Sequence, residues 1–264
     1  MDETTDLGEA LAEELFAALD PASAPVPLFT GRHPEMTVDQ AYVISLGVLK
    51  RRVGRGERVT GKKIGLTAEA IQQALGIDEP DFGFLTDAME IADGAAIEVG
   101  RLLRSPMVEA EIAFVLRHGL SGSDVTPEQV LQATDYVTAC FEIVDSRFDT
   151  QRIRIADTVA DNASSALYVL GQARADPREI DLAAVHCAVQ CNGTPVSEGL
   201  GAAVMGNPLN SVAWLANRLG AYGVTLNAGD VILPGSMIPF APARPGDRYL
   251  ADMGPLGTVS AIFT

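Results

Sequence analysis

Cysteine, histidine and lysine each occur only three times in this chain of 264 residues, and each shortage removes a class of chemistry. Cys140, Cys187 and Cys191 are odd in number and lack CxxC spacing, so a disulfide framework is excluded and a reducing compartment is expected. His33, His118 and His186 are scattered and no HExxH is present, which sets a zinc site aside. No run reaches the roughly eighteen apolar residues of a membrane span, and the first residues, MDETTDLGEALAEELF, are acidic where a targeting peptide is basic. A cytoplasmic chain with no membrane partner is the expectation. With 19 basic against 35 acidic residues the formal charge is −16, so the mean field repels nucleic acid and anionic lipid. A small anion is an admissible partner only where a local cation, either a basic cluster or a bound metal, outweighs that field.

What is present is a core. Hydrophobic residues make up 47% of the chain, with no repeat, low-complexity tract or Gly/Ser linker. Residues 6–19 read as an amphipathic helix, followed by the proline-rich connector DPASAPVPLFTGRHPEM. Thr37 with Gln40 forms a capping box for a helix to about residue 55. A short strand is expected at 58–65, and Thr67 can cap a helix that stops at Gly76. Further strands are expected near 96–101, 109–117, 139–146, 166–172 and 184–192, with a helix opened by Thr126 over TPEQVLQATDYV and another over 208–219. The last fifty residues or so read as strand and turn. The pattern predicts an α+β fold in which a helical N-terminal part, residues 1–60, packs on a mixed, rolled β-sheet core, residues 61–264.

The stretch PMVEAEIAFVL places two acids inside a run that otherwise reads as buried strand. Residues i and i+2 of a strand share a face, so Glu109 and Glu111 project together while Val108, Ala110 and Ile112 face away. Adjacent like charges destabilise a sheet unless something neutralises them. Glu142, in ACFEIVDSR, is a third acid in an apolar setting, and the intervening helix can return it beside the first pair. An all-oxygen set of three carboxylates suits a hard divalent cation, Mg²⁺ or Mn²⁺. The competing reading is a solvated edge strand whose acids simply face water.

The segments GKKIGLT, PDFG (80–83), VEAEIAFVL, FEIVDSR and DTVADNASSALYVLG, taken in order, resemble the 2-oxopent-4-enoate (2-hydroxypentadienoate) hydratase and 4-oxalocrotonate decarboxylase family, within the fumarylacetoacetate hydrolase superfamily. The resemblance runs from about Met36 to the final GTVSAIFT and implies a C-terminal-domain-like fold of that superfamily. It implies Glu109, Glu111 and Glu142 as metal ligands, Lys63 as the active-site lysine, Asp81 as an acid near the substrate, and Ser164 as a substrate contact. Leu75 and Gly76 match the segment that closes over the substrate carboxylate. The implied reaction is hydration of 2-hydroxypenta-2,4-dienoate or a close homologue to a 4-hydroxy-2-oxo acid, as in meta-cleavage catabolism of aromatic compounds. The alternatives are a 2-oxo-3-enedioate decarboxylase, a hydrolase using His33 with Glu35, and a noncatalytic partner subunit. The resemblance also implies homo-oligomerisation, with a downstream aldolase or a paralogous decarboxylase as possible company. Lys62 reads as a solvated surface lysine. Asp81 can equally be an Asx-turn residue and Ser164 a backbone-satisfying hydroxyl. Asp145, Arg147, Asp161 and Asn162 rank next, as groups that orient the site or as an internal Asp–Arg pair. Met237, Ile238 and Phe240 are expected to shape the far end of the pocket.

Overall fold

A computed structural model describes residues 3–67, 72–73, 79–149, 152–220 and 223–264 of the chain. The N-terminal helices are α1 (Glu3–Ala17), the short α2 (Phe29–Arg32) and α3 (Val38–Gly54). Thr37 and Gln40 close a reciprocal capping box at the start of α3, as expected from their spacing. The apolar faces of α1 and α3 meet through Leu11, Leu15, Ile44 and Val48, and this cluster takes in Phe29, Phe148 and, from the short helix α5 (Ile155–Ala160), Val159. Phe29 and Phe148 pack edge to face at 4.8 Å, which ties the helices to the chain that follows the central strands.

The main sheet contains β1 (Val59–Gly65), β2 (Asp81–Thr86), β3 (Glu90–Ile91), β5 (Met107–Leu116), β6 (Thr134–Val144), β7 (Ser165–Leu170), β10 (Val231–Leu233) and β11 (Ala241–Pro242). Its order is β2-β1-β10-β5-β6-β7-β3, with β11 on β5, and it is mixed: β1 runs parallel to β10, while β5 pairs antiparallel with both β10 and β6. β2 leads through one tight turn, Asp87–Met89, into β3, and β3 pairs with β7 at the opposite edge. The two edges are thereby joined and the sheet curls into a roll. A second mixed sheet, β4 (Ala96–Ile97), β13 (Thr258–Phe263), β12 (Arg248–Asp252), β8 (His186–Cys191) and β9 (Thr194–Leu200), lies outside it. The α+β class and the rolled, mixed sheet are as the sequence predicts.

Alternation along the strands divides the roll into two faces. Val108, Ala110, Ile112, Phe114, Phe141, Ile143 and Ile232 point outward into the principal core. That core also receives Val259, Ala261 and Phe263 of β13, and Val212, Leu215 and Leu219 of the last helix, α6 (Pro208–Gly220). The inner face carries a smaller cluster of Leu85, Met89, Ala113, Cys140, Tyr168, Val231 and Leu233.

Three local expectations need correction. The helix opened by Thr126 is α4 (Pro127–Ala133) and stops there, because the next residues enter β6. The Thr134 hydroxyl caps the turn by donating to the Val130 carbonyl, while Tyr136 and Val137 suit a strand and Val137 bonds with Ala175 across a bridge. The strand near 96–101 is confined to Ala96–Ile97, since the chain turns through Gly100 at φ 87°. Lys62 is not a surface lysine: it is 3% exposed and its ammonium meets the Asp230 carboxylate at 2.5 Å on the outside of the roll. A buried ion pair left with one partner is far worse than none. Asp230→Ala is therefore expected to lower the unfolding free energy by about 3–5 kcal/mol in denaturant titration. The double substitution Lys62→Met with Asp230→Leu should recover most of that loss.

Candidate active site

The β5–β6 register sets Glu109 directly opposite Glu142, and Glu111 opposite Cys140. Since 109, 111, 140 and 142 all face inward, three carboxylates converge, with one oxygen of each within 4.8 Å of the others. Glu111 and Glu142 are fully buried, and Glu109 is half-buried. Glu111 Oε2 accepts a hydrogen bond from the Gly235 backbone N–H at 2.8 Å. Glu111 Oε1 and both Glu142 oxygens are buried without a hydrogen-bond donor. Such orphaned acceptors are costly unless a cation meets them. An acidic, all-oxygen, partly desolvated set of this kind fits a hard divalent ion.

Lys63 supplies the one ammonium at this cluster among the described residues. It lies next to Lys62 in β1 and therefore on the opposite face, inside the roll, with its Nζ 3.3 Å from Glu142 Oε2 and 3.3 Å from the Ala163 carbonyl oxygen. Burial alone would push its pKa down, but Glu142, Glu109, Asp81 and Glu111 together outweigh that and hold the ammonium above the ordinary lysine value. Asp81, the first residue of β2, pairs across with Gly65 and is 2% exposed. It is a strand residue rather than a turn residue. Burial pushes its carboxyl up to about 6 against the opposing pull of Lys63. Burial likewise carries Glu109 up to about 8, and raises Glu111 well above the carboxylate range with help from Glu142 and Glu109. Gly65 is required here, because a β-carbon at that position would collide with Asp81 Oδ1 and come within 3.3 Å of the Lys63 ammonium.

The segment after β6 forms one wall. Asn162, Ala163 and Ser164 are all in the left-handed region, at φ 55°, 51° and 54°. Non-glycine residues adopt this at a cost of about 1–3 kcal/mol each, and a run of three must be held by its surroundings. The holding groups are present. Arg147 grips Asp161 through its carboxylate at 2.5 Å and also bonds the Asp161 and Ser165 carbonyls. Asp145 accepts the backbone N–H groups of Arg104 and Ser105 and donates its own to the Ser164 carbonyl. The Asp–Arg pair is thus internal, as one of the two expectations had it. Ser164 itself is half-buried beside Ala163.

Leu75 and Gly76 lie outside the described residues, as does most of the helix expected before them. Met237 and Ile238 are buried in the principal core and do not shape a pocket end, because they follow the Gly235 turn outward, where Met237 donates its N–H to Ala110 on β5. Phe240 is 48% exposed. His33 caps α2 among the N-terminal helices, and none of Lys63, Asp81 or the three glutamates lines the cavity that His33 and Glu35 share. Two features were not read from the sequence, Tyr168 and the backbone conformation of residues 162–164. Tyr168 sits opposite Glu142 in the β6–β7 register and bonds Thr60 and Glu90 through its hydroxyl, and the left-handed run had only the Asn of ADNAS as a signal.

The fumarylacetoacetate (FAA) hydrolase C-terminal family model matches residues 52–263. A 2-hydroxyhexa-2,4-dienoate hydratase of Comamonas testosteroni is 50% identical over 257 residues, covering 97% of each chain. A 2-hydroxypent-2,4-dienoate hydratase of Pseudomonas putida is 48% identical over 85% of this chain and 100% of its own. Among solved structures, the 4-oxalocrotonate decarboxylase of Pseudomonas putida G7, complexed with magnesium and adipate, superposes with a TM-score of 0.95 at 35% identity, covering 100% of this chain and 99% of its own. With its rolled sheet, its inward carboxylates and these relatives over nearly its whole length, the chain belongs to the fumarylacetoacetate hydrolase family and, within it, to the group of 2-hydroxypentadienoate hydratases and 4-oxalocrotonate decarboxylases.

Proposed function

We propose that this chain is a divalent-metal-dependent hydro-lyase that adds water to 2-hydroxypenta-2,4-dienoate or a close homologue and releases a 4-hydroxy-2-oxo acid. The observation that carries the reading is the enclosure of Glu109, Glu111 and Glu142 beside Lys63, with Glu111 Oε1 and Glu142 Oε1 buried without a hydrogen-bond donor and Glu142 Oε2 met only by the Lys63 ammonium at 3.3 Å. The three glutamates are the proposed ligands, with Mg²⁺ first and Mn²⁺ second as the ion. When bound, the ion supplies Lewis acidity toward the 2-oxygen of the substrate and anchors its carboxylate in an otherwise acidic protein.

The chain's own residues account for the rest. Ketonisation moves a proton from the 2-hydroxyl to C5, and hydration then places the hydroxyl of water on C4 and its proton on C3. Lys63, held charged by its acidic neighbours, faces negative charge that gathers on the substrate oxygen and stabilises it at no cost of reorientation. Asp81, with its carboxyl near 6, exchanges a proton close to neutral pH and is the proposed acid–base group. Ser164, next to the carbonyl that holds Lys63, is the proposed polar contact to the bound chain. Leu75 and Gly76 are proposed to contact its carboxylate.

Decarboxylation of a 2-oxo-3-enedioate is the second reading, favoured by the magnesium- and adipate-bound structural relative; the higher identity lies with hydratases. A cytoplasmic location and self-association are proposed as well, together with contact to a downstream aldolase or a paralogous decarboxylase. Among the described residues no helix is long and apolar enough to cross a membrane. Val43, Leu46 and Val53 on α3 are exposed apolar side chains that such an assembly would cover.

The direct test follows the dienol ultraviolet absorbance of 2-hydroxypenta-2,4-dienoate with Mg²⁺ and identifies product by NMR. Metal-dependent appearance of 4-hydroxy-2-oxopentanoate is expected, reduced more than about a hundred-fold in Glu142→Ala. Loss of CO₂ from 2-oxohex-3-enedioate with no dienol consumed would replace the hydratase reading by the decarboxylase one. A second prediction concerns the metal-free protein. Asp81 and Glu109 have folded pKa values above those of free carboxylates, so the folded state binds more protons than the unfolded one between about pH 4 and 8, and stability falls as pH rises through that window. Melting temperature in chelator should therefore drop from pH 5 to pH 8, and Mg²⁺ should flatten the slope. Glu111→Gln should raise the stability of the metal-free protein, by about 1–3 kcal/mol, while abolishing the stabilisation by Mg²⁺.

A further inference from the structure

The left-handed run at 162–164 is held against β2 by one side chain. Asn162 Oδ1 accepts the Phe84 backbone N–H at 2.8 Å, and Asn162 Nδ2 donates to the Phe84 carbonyl at 2.9 Å. The amide thus imitates a neighbouring strand for a single residue pair, satisfying both backbone groups at once. β2 yields room for it: a β-carbon on Gly83 would meet the Asn162 carbonyl oxygen at 2.5 Å, and Gly83 lies directly across from Lys63 in the β1–β2 register. Phe84, whose backbone is clasped, is itself buried against Phe82, which stacks on Tyr42 of α3 at 4.3 Å. The clasp is therefore anchored in the outer core on one side and opens on the carboxylate cluster on the other. Its product is the position of the Ala163 carbonyl, 3.3 Å from the Lys63 ammonium.

Backbone strain of this kind persists only where surrounding contacts over-determine it, and it concentrates where geometry serves function. Lys63 has four single bonds along its stem, and Glu142 alone fixes one direction for its ammonium. The Ala163 carbonyl fixes a second. We infer that Asn162 is a positioning residue for the reaction: its amide locks three strained residues onto β2 and thereby holds the Ala163 carbonyl that aims the Lys63 ammonium. The inference rests on the role proposed for Lys63. It leaves the glutamates untouched, so loss of Asn162 leaves metal binding intact and lowers the rate of a correctly folded, metal-loaded enzyme.

The test uses full-length Asn162→Ala, Asn162→Asp, Gly83→Ala and Lys63→Ala. For each, kcat and KM are measured, together with the melting temperature without and with Mg²⁺. Asn162→Ala is expected to lower kcat about ten- to a hundred-fold. KM should stay within about two-fold, and the rise in melting temperature on adding Mg²⁺ should match that of the wild type. Asn162→Asp keeps the acceptor and loses the donor, so it should recover part of the rate. Gly83→Ala, which pushes the turn away from β2, should reproduce the loss, and it decides the matter together with Asn162→Asp if Asn162→Ala does not fold. A slow Lys63→Ala beside an Asn162→Ala at wild-type kcat overturns the inference. So does a loss in Asn162→Ala that disappears on correction for the folded fraction. Lys63→Ala at the wild-type rate overturns instead the role given to Lys63, on which the inference stands.

Discussion

Four carboxylates, Glu109, Glu111, Glu142 and Asp81, enclosed inside one curled sheet with a single ammonium impose the electrostatic condition around which the rest of the structure is arranged. Burial first, and then neighbouring charge, raises the carboxyls of Asp81, Glu109 and Glu111, and Lys63 offsets only part of this. A fold can keep such groups together only if its remaining free energy comes from elsewhere. Here it comes from the outer face of the same strands, where Val108, Ala110, Ile112, Phe141 and Ile143 join the second sheet and α6 in one continuous core. The alternation of side chains along β5 and β6 thus divides successive residues between two faces: even-numbered positions of β5 stabilise, while the odd-numbered Glu109 and Glu111 are the proposed metal ligands.

Much of this was legible in the sequence because it rests on short-range periodicity. Glu109 and Glu111 share a face by strand geometry alone, and the capping box at Thr37 and the cap at Thr126 fix helix starts that the structure reproduces. The rolled α+β class follows from helices at the front and strands behind. Convergence with Glu142 depends on how the chain returns, and it holds because β6 pairs antiparallel with β5 in a register that sets the two acids face to face.

What was hidden depends on contacts between residues far apart in the chain. Lys62 and Lys63 look alike in GKKIG; which one enters the roll is decided by the pairing of β1 with β2 and β10, and a distant acid, Asp230, makes burial of the other tolerable. The length of β6 was hidden for a similar reason, since Thr134 to Val137 have both a helix end and a strand available and the bridge to Ala175 selects the strand. The left-handed run at 162–164 is the clearest case. Ala163 and Ser164 carry no local preference for that backbone, which only the grip of Arg147 on Asp161 and of Asn162 on Phe84 makes tenable.

The glycine at position 65 has a meaning beyond the space it leaves. Adjacent lysines each with an acid waiting, Glu142 inside and Asp230 outside, mean that β1 slipped by one residue would keep one of the two ion pairs and lose the other, because Gly61 or Ile64 would fill the vacated place. Charge therefore guards the register in part. Shape adds to it: a slip of one brings Ile64 or Leu66 to the place where Gly65 lies against Asp81, and a β-carbon there would collide with Asp81 Oδ1. The missing β-carbon works as a key cut for one alignment, so the absence that lets an acid stand beside a lysine also marks the register of the strand.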